Sequence, residues 1–111
     1  MRKDTRESNA QRKQKQIKKD TTAIRRKLLP VLKRHDIARA ALFGSYARGE
    51  GTRHSDLDIL VECKGEKSLL DLVELKYALE KNTGRKVDVL TYRALHPAIR
   101  ERILNEQVPL L

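Results

Sequence analysis

The chain has 111 residues, with 25 Lys or Arg against 15 Asp or Glu, three His and one Cys. That length makes one domain with a single modest core, and the lone Cys63 excludes a disulfide framework or a cysteine-rich metal centre. No apolar run nears the roughly 18 residues of a membrane span and no signal-peptide pattern opens the chain, so it reads as soluble and cytoplasmic. The net charge of +10 is uneven: residues 1–35 hold 13 Lys/Arg and 3 Asp/Glu, and residues 36–111 hold 12 of each.

Residues 1–20 form a basic arm. From Met1 to Gln16 only Met1 and Ala10 are apolar, so this arm buries no core face and is expected as an exposed helix or a disordered tail. Residues 21–111 form the folded domain. Ile17, Ile24, Leu28, Val31 and Leu32 share one helical face, which predicts a helix reaching about His35. Pro30 predicts a kink, or a helix starting near Leu29. Asp36 breaks the pattern, and Ile37 to Phe43 reads as a short buried strand despite Arg39. Ser45 to Arg48 reads as a helical turn with Gly49-Glu50-Gly51 as its exit, and Asp56 to Cys63 as a second strand. Ser68 with Asp71 three residues on makes a capping-box start. The helix it opens carries Leu69, Leu72, Val73, Leu75, Tyr77, Ala78 and Leu79 and stops at Gly84. Lys86 to Thr91 reads as a third strand. Pro97 opens a last helix with Ile99, Ile103 and Leu104 inward, and Val108 to Leu111 is an apolar tail. The class is α/β (α+β), a small mixed sheet of three or four strands with helices packed on one face.

The chemistry concentrates in two places. Gly44-Ser45 stands ten residues ahead of Asp56-Leu57-Asp58, and Asp88 sits alone in Val87-Asp88-Val89-Leu90. Alternation along a strand puts Asp56 and Asp58 on one face and Leu57, Ile59 and Val61 on the other. Carboxylates two residues apart stand roughly 7 Å from each other and repel by roughly 2 kcal/mol at an effective dielectric near 20. A fold gains nothing from that repulsion, and a hard divalent cation reverses its sign. The Gly-Ser turn offers flexible backbone and a hydroxyl for phosphate. Arg48 either reaches phosphate or pairs with a motif aspartate and holds the turn, and Gly49 allows a positive φ. His35, His54 and His96 are not spaced as a metal cluster, Tyr77 and Tyr92 read as packing residues, and no Ser/His/Asp or Cys/His nucleophile is evident.

Gly-Ser, ten residues, Asp-x-Asp, with Ala47-Arg48-Gly49 and Ser55 flanking and Asp88 as a third carboxylate, resembles the nucleotidyltransferases of the DNA polymerase beta superfamily. The pattern resembles in particular the minimal nucleotidyltransferase (MNT) proteins, and the resemblance covers about Ile24 to the C-terminus. The resemblance implies the nucleotidyltransferase fold, a two-metal Mg2+ site on Asp56, Asp58 and Asp88, and nucleotide binding by Gly44, Ser45 and Arg48. It implies transfer of AMP from ATP to a hydroxyl, with Asp88 helping to deprotonate that hydroxyl. It further implies a HEPN-domain toxin partner, a ribonuclease that an MNT antitoxin neutralises by binding or by adenylylating a tyrosine. Two other readings stand beside this one: a binding-only antitoxin with a vestigial metal site, and an RNA-directed nucleotidyltransferase that holds nucleic acid with its basic arm. Retention of three repelling carboxylates counts against the first. The second lacks aromatic residues in the arm to stack bases and lacks an added RNA-binding domain.

Overall fold

The computed structural model describes residues 9–49 and 55–111, with side chains from Thr21 onward except that of Ser45. The first eight residues of the arm, the side chain of Ile17, and the loop with Glu50, Gly51 and His54 lie outside the described residues. In chain order the elements are α1 (Asn9–Arg34), β1 (Ile37–Phe43), α2 (Gly44–Ala47), β2 (Leu57–Cys63), α3 (Leu69–Thr83), β3 (Val87–Thr91), a 3-10 turn (Tyr92–Ala94), α4 (Pro97–Glu106) and β4 (Val108–Pro109).

The helix α1 runs unbroken from the arm through Pro30. Its residues Ile24, Leu28, Val31 and Leu32 are buried at the three- and four-residue spacing of one helical face. The helix ends where Asp36 adopts a left-handed backbone with φ 57, and the Asp36 carbonyl accepts from the Lys64 amide at 2.8 Å. That bond ties the entry of β1 to the exit of β2.

The strands form one mixed sheet in the order β3-β2-β1-β4. β1 lies antiparallel to β2 and β4, and β2 lies parallel to β3 through the crossover helix α3. One face of the sheet, from Ala40, Leu42, Leu57, Ile59, Val61 and Val87, packs under α1 and α3. The other face carries a smaller cluster of Leu60, Tyr92 and Leu95, with Phe43, Leu90, Ile103 and Leu104 against it. The two long helices therefore share one face, and the 3-10 turn and α4 close part of the other. Tyr92 packs as expected, and its hydroxyl donates to Gln107 Oε1 at 2.8 Å.

The capping box of α3 is present, Ser68 accepting from the Asp71 amide and the Asp71 carboxylate from the Ser68 amide, and Gly84 ends the helix with φ 68. Only Leu75 and Leu79 of α3 are buried. Tyr77 is 64% exposed and Leu69 78%, so Tyr77 is not the packing residue its amphipathic setting suggests. The helix holds more apolar residues than its sheet-facing stripe can cover. Ile99, 45% exposed, likewise turns away from the cluster that Ile103 and Leu104 join.

The apolar tail is a fourth strand. Val108 and Pro109 pair with Leu42 and Ala41, with proline at a sheet edge where its missing N–H costs no ladder bond. Beyond it, the amides of Leu110 and Leu111 donate to Ala40 O at 2.8 and 3.1 Å. Leu110 is fully buried, and its carbonyl accepts from Arg25 Nε at 3.0 Å. Leu110→Ala should therefore cost about 2–5 kcal/mol. Thermal denaturation should show Tm falling by at least about 8 °C; an unchanged Tm would mean that the tail is not part of the core.

Candidate active site

Sequence register assembles the site. Antiparallel pairing sets Phe43, the last residue of β1, opposite Asp58, and parallel pairing sets Asp88 opposite Asp58 on its other side. Adjacent strands lie about 4.8 Å apart, so side chains at paired positions on one face approach closely. Two aspartates far apart in sequence thus meet across β2 and β3, at the half-buried Asp58 and the exposed Asp88. Asp56 is exposed and lies one residue before β2, which starts at Leu57 rather than at Asp56.

The electrostatics show how tight this meeting is. The Asp58 carboxyl is held above the ordinary carboxylate range, first by burial, then by the charges of Asp88 and Asp56 and by a hydrogen bond with Asp88; Arg48 pulls the other way. A hydrogen bond between two carboxyls requires a proton on one of them. Among the described residues no three metal-capable side chains are already drawn into an ion site. Burial and the neighbouring Asp88 and Asp56 charges favour the protonated form of Asp58. A donor set of carboxylates that repel when ionised suits a hard divalent cation of the magnesium type, which would neutralise them as protonation does.

Gly44 makes room for the pair. It turns the chain with φ +75, and a Cβ placed there would run into Asp58 Oδ2. The sequence suggested Gly44 as a point of close phosphate approach; the structure adds that its missing side chain is space the Asp58 carboxylate occupies. Gly49 closes the same short segment at φ 82, as expected. Ser45 belongs to α2, and its side chain lies outside the described residues. Arg48 pairs with Glu106 of α4 at 3.8 Å while its charge also acts on Asp58. It therefore links the motif turn, a motif aspartate and the last helix.

Other side chains support the site without belonging to the motif. Glu80 of α3 accepts the amide of Val87, next to Asp88, at 3.0 Å, and Arg102 joins Arg48 on Glu106 at 3.4 Å. Neither glutamate carries a sequence signal, because each acts only after its helix has docked. Arg85, directly ahead of the Asp88 strand, does stand beside a motif and could have been singled out. His96 is taken up locally, its Nδ1 accepting from Ala98 N at 3.0 Å. A groove of about 940 Å³ opens near the far ends of β2 and β3, lined by Arg39, Glu62, Lys67, Thr91 and Arg100 among others. None of the three aspartates lines it.

Asp58 and Asp88 meeting in a mixed sheet, with Asp56 just ahead of it and a glycine turn alongside, are an arrangement suited to metal-assisted phosphate chemistry. The nucleotidyltransferase domain family matches residues 25–110. A relative from Methanocaldococcus jannaschii that carries the provisional name protein adenylyltransferase is 57% identical over 88 residues, 79% of this chain and 95% of that one. The protein adenylyltransferase MntA of Thermococcus cleftensis is 39% identical over 75 residues, 68% of this chain and 76% of that one. Among solved structures, a minimal nucleotidyltransferase superposes with a TM-score of 0.70 at 42% identity, covering 82% of this chain and 93% of the other. A complex of the tri-AMPylated Shewanella oneidensis HEPN toxin with its MNT antitoxin shares the fold, with a TM-score of 0.64 at 19% identity over 82% of this chain and 71% of that one. The chain belongs to the nucleotidyltransferase domain family, in its minimal form, and is a nucleotidyltransferase.

Two outcomes follow from the crowding. Gly44→Ala adds a methyl where Asp58 sits and forces a non-glycine residue to positive φ, costing at least about 1 kcal/mol. Its Tm should drop by about 4–8 °C or more; a Tm equal to wild type would remove the contact. The second concerns pH. A carboxyl whose folded pKa is raised stabilises the fold at low pH, and this contribution is lost as pH rises through that folded value. In EDTA, the stability of Asp58→Asn should gain on wild type as pH is raised from about 4 to 7. Parallel Tm–pH curves for the two proteins would contradict the raised pKa.

Proposed function

We propose that this chain transfers AMP from magnesium-bound ATP to a hydroxyl of a protein, a tyrosine of a HEPN-domain toxin, and so acts as its antitoxin. The observation that carries the reading is the pairing of Asp58 with Asp88 across parallel strands, under the turn where Gly44 clears space. Asp56, Asp58 and Asp88 are the residues that would hold Mg2+. When bound, the ion neutralises their charge and polarises the phosphates, which favours displacement at phosphorus.

The chain's own groups then have separate tasks. Gly44 and Ser45, with Arg48 beside them, bind and orient the triphosphate. Asp88 takes the proton of the acceptor hydroxyl as its oxygen forms a bond to the α-phosphorus. The bond from that phosphorus to the bridging oxygen breaks, and pyrophosphate leaves with the electron pair. Asp88 suits the base role because it comes from a different strand than the Asp56–Asp58 pair and is the more exposed of the two aspartates that meet. The names of the relatives supply the acceptor class: protein adenylyltransferases, and a HEPN toxin carrying AMP in complex with an MNT protein. Retention of the full carboxylate set favours this enzyme over a binding-only antitoxin. No helix among the described residues is long and apolar enough to cross a membrane.

The test is incubation with labelled ATP, magnesium and the product of the neighbouring gene, which the reading expects to be a HEPN-domain toxin. Label on a toxin tyrosine is the expected result, and label nowhere overturns the reading. In calorimetry, Asp56→Asn/Asp58→Asn should lose magnesium-dependent ATP binding. Asp88→Asn should keep ATP affinity within a few-fold while transfer falls by about a hundredfold or more. An unimpaired transfer rate in Asp88→Asn would take Asp88 out of the reaction.

A further inference from the structure

The first motif aspartate arrives at the sheet from outside the strand ladder, and a residue beyond the motif holds it there. Arg85 sits between Gly84, where α3 ends, and β3. Its Nη2 and Nε donate to the carbonyl oxygen of Ser55 at 2.7 and 3.2 Å. A planar guanidinium is suited to such a two-pronged contact, and its charge strengthens both bonds. The same guanidinium stands 5.1 Å from the centroid of the Tyr46 ring, within cation–π range. Tyr46 is itself anchored, reaching from α2 into the main core at 5% exposure. One position past the aspartate, the Leu57 amide donates to Lys86 O at 2.9 Å. Asp56 is therefore gripped on both sides, Ser55 by the Arg85 side chain and Leu57 by the neighbouring Lys86 carbonyl.

We infer that Arg85 is a positioning residue: it clamps the Ser55 carbonyl and the Tyr46 ring to the start of β3, and so fixes Asp56 relative to Gly44 and Asp88. The inference rests on the transferase reading above, because it concerns where the Asp56 carboxylate is delivered. Three segments contribute to the site, namely α2, the end of the motif loop and the entry of β3. Arg85 touches all three. Among the described residues no hydrogen bond or ion pair holds the exposed Asp56 carboxylate, so its geometry depends on how firmly residues 55 and 57 are held. An arginine that is half-buried against a buried tyrosine and spans 30 residues to a single carbonyl is fixing a distance that the local sequence leaves open.

Two variants test this. Arg85→Met keeps the stem and removes every donor, and Arg85→Lys keeps the charge but not the fork. In protein free of metal and nucleotide, amide exchange followed by NMR should quicken at Leu57, whose amide is bonded to Lys86 O, by about tenfold or more in Arg85→Met. The amides of Ala40 and Leu42 in β1 should not change. Magnesium-dependent ATP affinity should weaken by about tenfold or more, the usual scale for losing a residue that orients a metal ligand. Arg85→Lys should fall between wild type and Arg85→Met in both readouts. Unchanged exchange with weakened affinity would make Arg85 a direct nucleotide contact and overturn the positioning role, and faster exchange with unchanged affinity would overturn it equally. If the wild type itself binds no magnesium–ATP while exchange still quickens in Arg85→Met, the clamp is real but the transferase reading, and the role assigned to the clamp, both fail.

Discussion

The Asp58 carboxyl is pressed against that of Asp88, in a half-buried place where burial and neighbouring charge both favour a proton over a negative charge. Much of the remaining architecture makes this contact possible. Parallel pairing of β2 and β3 requires a crossover, supplied by α3, which packs on the face away from the aspartates. The crossover helix can therefore be fully apolar toward the sheet without covering the site. The antiparallel return from β1 delivers the glycine turn to the same end of β2. A residue larger than glycine at position 44 would occupy the space of the Asp58 side chain. Strand direction, crossover and turn are thus three consequences of one requirement, that carboxylates from separate strands converge beside the glycine turn.

Some of this was readable in the sequence because it is local. Alternation along Asp56–Val61 separates acidic from apolar faces with no knowledge of the fold, and Leu57, Ile59 and Val61 are indeed fully buried. The capping box at Ser68 and the left-handed stop at Gly84 depend on three or four neighbouring residues and appear where expected. The pairing of Asp58 with Asp88 is different. It depends on register between strands 30 residues apart, and only the family resemblance pointed to it.

The misjudged positions share a cause. Tyr77 and Ile99 carry the right residue type for a core, but the short sheet offers only a narrow stripe to each helix. The spacing of apolar residues does not say which of them the stripe will reach. The C-terminal strand was hidden for another reason: two residues with a proline have no strand signature of their own, and their pairing is decided by the free edge of β1. Glu80, Glu106 and Arg85 act across tertiary contacts, so their contributions to the site exist only once α3, α4 and the motif loop have met.

Magnitudes explain why a small domain tolerates such a site. Two carboxylates at the spacing of Asp56 and Asp58 repel by roughly 2 kcal/mol, a sizeable part of the stability of an ordinary domain. Full burial of one Leu, Ile or Val contributes about 1.5–3 kcal/mol, and β2 alone buries Leu57, Ile59, Leu60 and Val61 completely. The strand that bears Asp58 and directly follows Asp56 is therefore also firmly anchored in the core. Leu60 lies on the same face as Asp58, held by Tyr92 and Leu95, so even the acidic face is pinned two residues from the charge. Relief of the repulsion by rotating or withdrawing β2 would expose several of these side chains at once, at a greater cost than the repulsion itself. The carboxylates have no such escape, and protonation or a bound cation are the ways left to neutralise them. That confinement leaves an unfavourable charge arrangement that a divalent cation would relieve.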